Sequence, residues 1–168
     1  MSPLNEEQLQ QIRDERKEQI MKAALNIFAR RGIIGTKLSM IATEAGISQG
    51  LLYHYFKSKD ELFIVLIEQA LRRRQFVIHY QPIIELATER CVAAEALILL
   101  RRSDGVLLRP DLFIPYAEES GLIQPLTDNV LDSVVSEMGP LLRRDRSIHI
   151  SVNVAATDIV SGRILTAL

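Results

Sequence analysis

Within the stretch Ser39 to Phe56, Leu52 and Phe56 stand four residues apart and can pack inward on one side of a short helix. That leaves Gln49, Gly50, Tyr53 and His54 on its other faces: an amide, a bare backbone, a phenol and an imidazole. Those groups suit hydrogen bonding to base edges and phosphate oxygens in a groove, a chemistry of recognition. Gly50 costs a helix about 1 kcal/mol relative to Ala, which makes sense where the backbone must approach another surface closely. Lys57 and Lys59 follow directly, with Thr36 and Lys37 just upstream.

These residues need helices to hold them. Ile20, Ala23, Ala24, Ile27 and Phe28 recur at the helical period, predicting an amphipathic helix over 12–31 that stops at Gly32. Met40, Ile41 and Ala45 mark a second, short helix, with Thr36 or Ser39 available as its cap. Gly46 allows a sharp turn, Ile47 can fill the angle, and Ser48 suits the N-cap of a third helix, Gln49 to Phe56. Ser58 with Glu61 reads as a capping box opening a fourth helix, whose stripe is Phe63, Leu66, Ile67, Ala70 and Leu71. Two helices about a Gly-containing turn, the second polar and aromatic outside, make a helix-turn-helix for a DNA major groove.

The chain has 168 residues, 48% of them hydrophobic, enough for one domain or two small ones. No apolar run approaches the roughly 20 residues that span a bilayer, and the charged start lacks a secretory signal's apolar region. A cytoplasmic protein without a membrane partner is expected. Cys91 is the single cysteine and carries no assigned role. The overall charge of −1 hides an asymmetry: residues 1–73 hold 11 Lys and Arg against 9 Asp and Glu, the remainder 9 against 12. The first part is therefore the better match for a phosphate backbone.

Residues 17–71, through IMKAALNIFARRG and IATEAGISQGLLYHYFKSKDELF, resemble the DNA-binding domain of the TetR family of transcriptional regulators. The resemblance implies that Gln49, Gly50 and Leu51 approach base edges. It also implies that Thr36, Lys37, Tyr53, His54 and Lys59 hold phosphates, with Ser48 at the same helix start. It further implies a double-stranded DNA operator, a homodimer and repression.

After Arg74 the pattern changes. Runs at 75–84, 92–100 and 148–154 read as strands, with a turn-like polar stretch between the first two; a short helix falls within 110–121, and a longer one runs over 125–142. Strands and helices in this order predict a parallel sheet of βα units. The segments His79 to Ile83, Glu95-Ala96-Leu97, Phe113 to Ile123 and Ser151 to Asn153 resemble the opening of an EAL domain, the cyclic di-GMP phosphodiesterase fold. By that resemblance Glu95 and Asn153 are metal ligands and Gln81 lies near the substrate. Leu99 stands where the family usually has a substrate-contacting Arg.

Residues 74–168 number 95, against about 250 for a barrel of this kind. The family's later acidic ligands, its Asp-Asp-Phe-Gly segment and its catalytic Lys and Glu are not among them. The expected architecture is thus a four-helix domain over 1–73 followed by an incomplete βα-barrel-like fragment over 74–168. The expected function is DNA-binding regulation, with no catalysis, no cofactor and no working metal site. The alternatives are a cyclic di-GMP phosphodiesterase and an inactive sensor of that nucleotide. Glu68 to Arg74 reads both as the end of the fourth helix and as the helix leading into an EAL strand, as in a fusion.

Overall fold

A computed structural model describes residues 5–160. It forms two compact units, Met1–Leu66 and Ile67–Leu168.

The first unit is helical. Helix α1, Glu6–Arg31, starts well before the expected position because Asn5 and Gln8 cap each other reciprocally, at 2.7 and 3.0 Å. It ends at Gly32, whose φ of 67° is costly for residues with a side chain. Helix α2, Leu38–Glu44, is capped by Lys37 without a side-chain bond, so neither Thr36 nor Ser39 does that work. Instead the Thr36 hydroxyl donates to the Gly32 carbonyl at 2.6 Å. Gly46, at φ 64°, turns the chain into α3, Gln49–Tyr55. Helix α4, Lys59–Arg72, opens with Ser58 Oγ accepting from the Glu61 N–H. The Glu61 carboxylate reaches Lys57 N–H at 2.7 Å, one residue short of the box expected from sequence.

The unit's core is built from α1 Ile20, Ala24 and Phe28, α2 Ile41, α3 Leu52, Phe56, and α4 Leu62 and Phe63. Phe28 and Phe63 meet edge to face with centroids 5.2 Å apart, a favoured aromatic geometry. Gln19 Nε2 donates to the Ala45 carbonyl at 2.7 Å, and Arg30 pairs with Glu44 at 2.7 Å, so α1 also holds α2 by its polar groups.

The second unit is a mixed sheet with helices. Strands β1, Phe76–Glu85, and β2, Arg90–Arg101, form an antiparallel hairpin, with a register shift at Ile83/Ile84. The expectation of three parallel strands is corrected here. Only residues 86–89 join β1 to β2, too few for the crossover that parallel strands need. Neither Gly nor Pro announces that turn, and Glu89 supplies its positive φ of 54°. A short β3, Leu107–Leu108, pairs antiparallel with the end of β2. Strand β4, His149–Val152, runs parallel to β2, with Glu95 opposite Ser151.

Between β3 and β4 lie a 3-10 turn, Pro110–Leu112, then α5, Ile114–Ser120, and α6, Ile123–Arg144. A last short helix, α7, spans Ala156–Val160. Val130 and Val134 of α6 pack on Ile78 and Ala96, with Tyr80, Ile98, Ile150 and Val152 around them. Residues two apart on a strand share a face, so Val77, His79, Gln81, Glu95, Leu97 and Leu99 belong to the other side of the sheet. That side is half-exposed or exposed at every one of these positions.

Candidate nucleic-acid interface

Helix α3 is only two turns long, and its sequence divides it into an inner and an outer side. Leu52 and Phe56 are 0% and 1% exposed. Gln49, Gly50, Tyr53 and His54 are all exposed, Tyr53 at 49%. Ser48 fixes the start of the helix: its hydroxyl accepts from the Leu51 N–H at 3.1 Å, so the side chain and the Leu51 amide satisfy each other. Leu51 is half-buried. A Cβ built on Gly50 would meet nothing within 4 Å, so internal packing does not demand glycine there. Its backbone is open to an incoming surface.

The flanking residues separate into two kinds. Lys37 is exposed beside the start of α2. Thr36 is 2% exposed and its hydroxyl is committed to Gly32, so in this conformation it braces the turn after α1 and offers no side-chain group to a phosphate. Lys59 is half-buried and its ammonium donates to the Ile33 carbonyl at 3.0 Å, tying α4 to the turn after α1. An ammonium has three donors, so this bond occupies one of them. Sequence reasoning missed Lys17, whose ammonium lies 5.9 Å from the Phe56 ring centroid and covers the buried end of α3. The signal was faint, because Lys17 sits among other charged residues of α1.

In the second unit the strand register gathers three of the expected residues. Gln81 lies opposite Glu95 across β1 and β2, and Asn153 follows the end of β4. Asn153 Nδ2 donates to Glu95 Oε1 at 2.8 Å. Leu99 is on the same face of β2, four residues along. A hard divalent cation takes about six oxygen ligands with several carboxylates among them. Among the described residues no group of three or more His, Cys, Asp and Glu side chains is placed to hold a metal ion. Glu95 with an amide nitrogen turned toward it does not make such a site by itself. Beside Asn153 opens a cavity of about 380 Å³, walled largely by Ile98, Ile114, Leu126 and Val130 with Glu118 at its edge.

Two further polar contacts stiffen this unit. Tyr80 OH donates to Glu137 of α6 at 2.9 Å. Burial first, then that hydrogen bond and the carboxylate's charge, push the phenol above its ordinary pKa. Thr127 of α6 donates to the buried Asp158 of α7 at 2.7 Å.

Comparison with known proteins agrees with both halves. The EAL domain family model matches residues 66–168. The chain belongs to the EAL domain family. Ahead of the EAL region, residues 20–66 match the family of bacterial regulatory proteins, tetR family. The EAL region is similar to the probable cyclic di-GMP phosphodiesterase PdeB of Escherichia coli (strain K12). The two are 41% identical over 98 residues, which is 58% of this chain and 19% of that protein.

The TetR-type region is similar to the HTH-type transcriptional regulator YerO of Bacillus subtilis (strain 168), itself uncharacterized. The match is 42% identical over 55 residues, 33% of this chain and 19% of YerO. Among solved structures, a PaMucR phosphodiesterase in complex with c-di-GMP aligns at TM-score 0.57 and 30% identity. It covers 62% of this chain and 43% of that one. The chain spans about a fifth of the length of these curated relatives. No described helix is long and apolar enough to cross a membrane.

Proposed function

We propose that this chain is a sequence-specific DNA-binding transcriptional regulator, acting as a repressor in the cytoplasm, with its DNA-binding domain over residues 1–73 and an EAL-like segment over 74–168. The observation that carries the reading is the division of α3: Leu52 and Phe56 buried, Gln49, Gly50, Tyr53 and His54 outward. In this reading Gln49, Gly50 and Leu51 approach base edges in a major groove, while Lys37, Tyr53, His54 and the remaining donors of Lys59 hold phosphates. Ser48 sets the angle at which the helix enters. Thr36 contributes through the turn it braces.

Repression follows sterically from occupying an operator. A homodimer would read a palindrome with half-sites about one helical turn apart. The test is binding to selected duplexes: Gln49→Ala should relax preference at one base position by about 1–3 kcal/mol, and Lys37→Ala should weaken all sequences alike. Equal binding of every sequence by the unaltered protein would remove the proposal.

A second reading has one observation in its favour, the gathering of Gln81, Glu95 and Asn153 at one place on the sheet. The EAL-like segment would then bind cyclic di-GMP, as a sensor or as a phosphodiesterase. We favour a non-catalytic role, because the donor set is short of a hard-metal site. Metal-dependent hydrolysis of the dinucleotide that disappears in Glu95→Gln would establish the enzyme instead. Calorimetry without binding heat would dispose of both forms.

A further inference from the structure

The cavity beside Asn153 has no part in either reading above. Its volume of about 380 Å³ is that of a small-molecule site. The fold builds it on the side of the sheet that faces the helices: Ala96 and Ile98 come from β2, Ile123, Leu126 and Val130 from α6, and Ile114 from α5. Ala96 and Ile98 alternate along β2 with Glu95 and Leu99, so these walls lie across the sheet from the Gln81–Glu95 pair. Asn153 touches both places, bordering the cavity while its Nδ2 is turned to Glu95.

The walls are aliphatic, and every charge around them has one sign. Among the described lining residues the only charged ones are Asp111 and Glu118, with no Lys, Arg or His. Arg109 offsets Asp111 at 3.2 Å. Glu118 is exposed at the rim and makes no ion pair among the described residues. It also stands in the last turn of α5, where free carbonyls carry partial negative charge and a cation is the favoured neighbour. Thr127, a further lining residue, gives its hydroxyl proton to the Ile123 carbonyl and the Asp158 carboxylate, so only its lone pairs remain. The cavity thus offers apolar surface, acceptors and an uncompensated carboxylate.

We propose that this cavity binds a hydrophobic monocation, an ammonium on an aryl or alkyl body, with the cation on Glu118 and the body against Ile98, Leu126 and Val130. The site rests on neither the DNA-binding reading nor the cyclic di-GMP reading. A dinucleotide carries negative phosphates, which the acidic rim would repel.

The test is binding of three probes to the full chain: naphthylmethylammonium, naphthylmethanol and naphthoate, which share an apolar body and differ in charge. The chain has no tryptophan, so naphthyl fluorescence anisotropy reports occupancy directly. The ammonium should bind tightest and the carboxylate weakest. Glu118→Gln, at an exposed position, should weaken the ammonium about two- to fivefold and leave the alcohol unchanged. Ala155→Leu enlarges a half-buried lining residue and should weaken all the probes that bind, with a circular dichroism melt to show that the variant is folded.

Equal binding of ammonium and carboxylate would overturn the proposal, as would an ammonium preference that survives Glu118→Gln. So would the absence of binding to the folded chain. If that absence comes with a concentration-dependent dimer that Ala155→Leu dissociates, the cavity belongs to an interface with a second copy. Displacement of the ammonium by cyclic di-GMP would equally overturn it, by making the cavity part of a dinucleotide site.

Discussion

Phe56 and Tyr53 lie three residues apart on or at the end of one short helix, and the account assigns them opposite roles. Phe56→Ala should therefore damage the fold, and Tyr53→Ala should leave it almost untouched. Phe56 is 1% exposed, and truncating a buried Phe costs about 3–5 kcal/mol. The ammonium of Lys17 over its ring adds about 0.5–1 kcal/mol at an exposed site of this kind. A unit the size of Met1–Leu66 has about 3–10 kcal/mol of stability in total, so Phe56→Ala removes about a third of it or more.

Each kcal/mol shifts the midpoint of a small domain by about 4–8 °C, and the expected fall exceeds about 10 °C. Tyr53 is 49% exposed, and surface substitutions stay within about 0.5 kcal/mol. Circular dichroism melts of both variants, followed by DNA binding of Tyr53→Ala, make the assay. Similar losses of stability in the two variants would refute the assignment of inner and outer sides to α3. A folded Tyr53→Ala with unchanged affinity for DNA would refute the phosphate-holding role of Tyr53.

Other consequences follow from single contacts. Ser48→Ala removes the cap of α3 and should cost about 1 kcal/mol of stability, while Ser48→Asp, another good cap, should keep most of it; thermal melts compare them. Thr127→Val removes the hydroxyl that bonds buried Asp158 and should cost about 1–2 kcal/mol, read as a lower urea midpoint with an unchanged slope.

Tyr80 has its folded pKa raised, so its contribution to stability is fully present below the unfolded value of about 10 and is lost as pH rises above it. Ultraviolet titration should show a late-ionising phenol, and Tyr80→Phe should lose that late component.

Much of the first unit was legible because its determinants are local. The spacing of Leu52 and Phe56, the hydroxyl of Ser48 and the turn glycine Gly46 each act within a few residues, and each stands where periodicity and capping put it. The start of α1 was less legible: the exposed residues after Asn5 have no apolar stripe, and their helix rests on the Asn5–Gln8 cap. Thr36 and Lys59 were read by type as surface donors, and only the fold shows that a carbonyl claims a donor from each.

The stretch between β1 and β2 was legible as a turn, but the two strands were assigned to a parallel sheet, which so short a connection cannot join. The juxtaposition of Gln81, Glu95 and Asn153 depends on strand register, which hydrophobic pattern alone does not fix.

The central claim is that α3 reads DNA sequence. Selection of duplexes from a random pool by the full chain at near-physiological salt, repeated with the Gln49→Ala, Tyr53→Ala variant, tests it most directly. The account predicts a recovered palindrome with the unaltered chain and its loss in the folded variant. Recovery of no sequence above background by the folded, unaltered protein would contradict it.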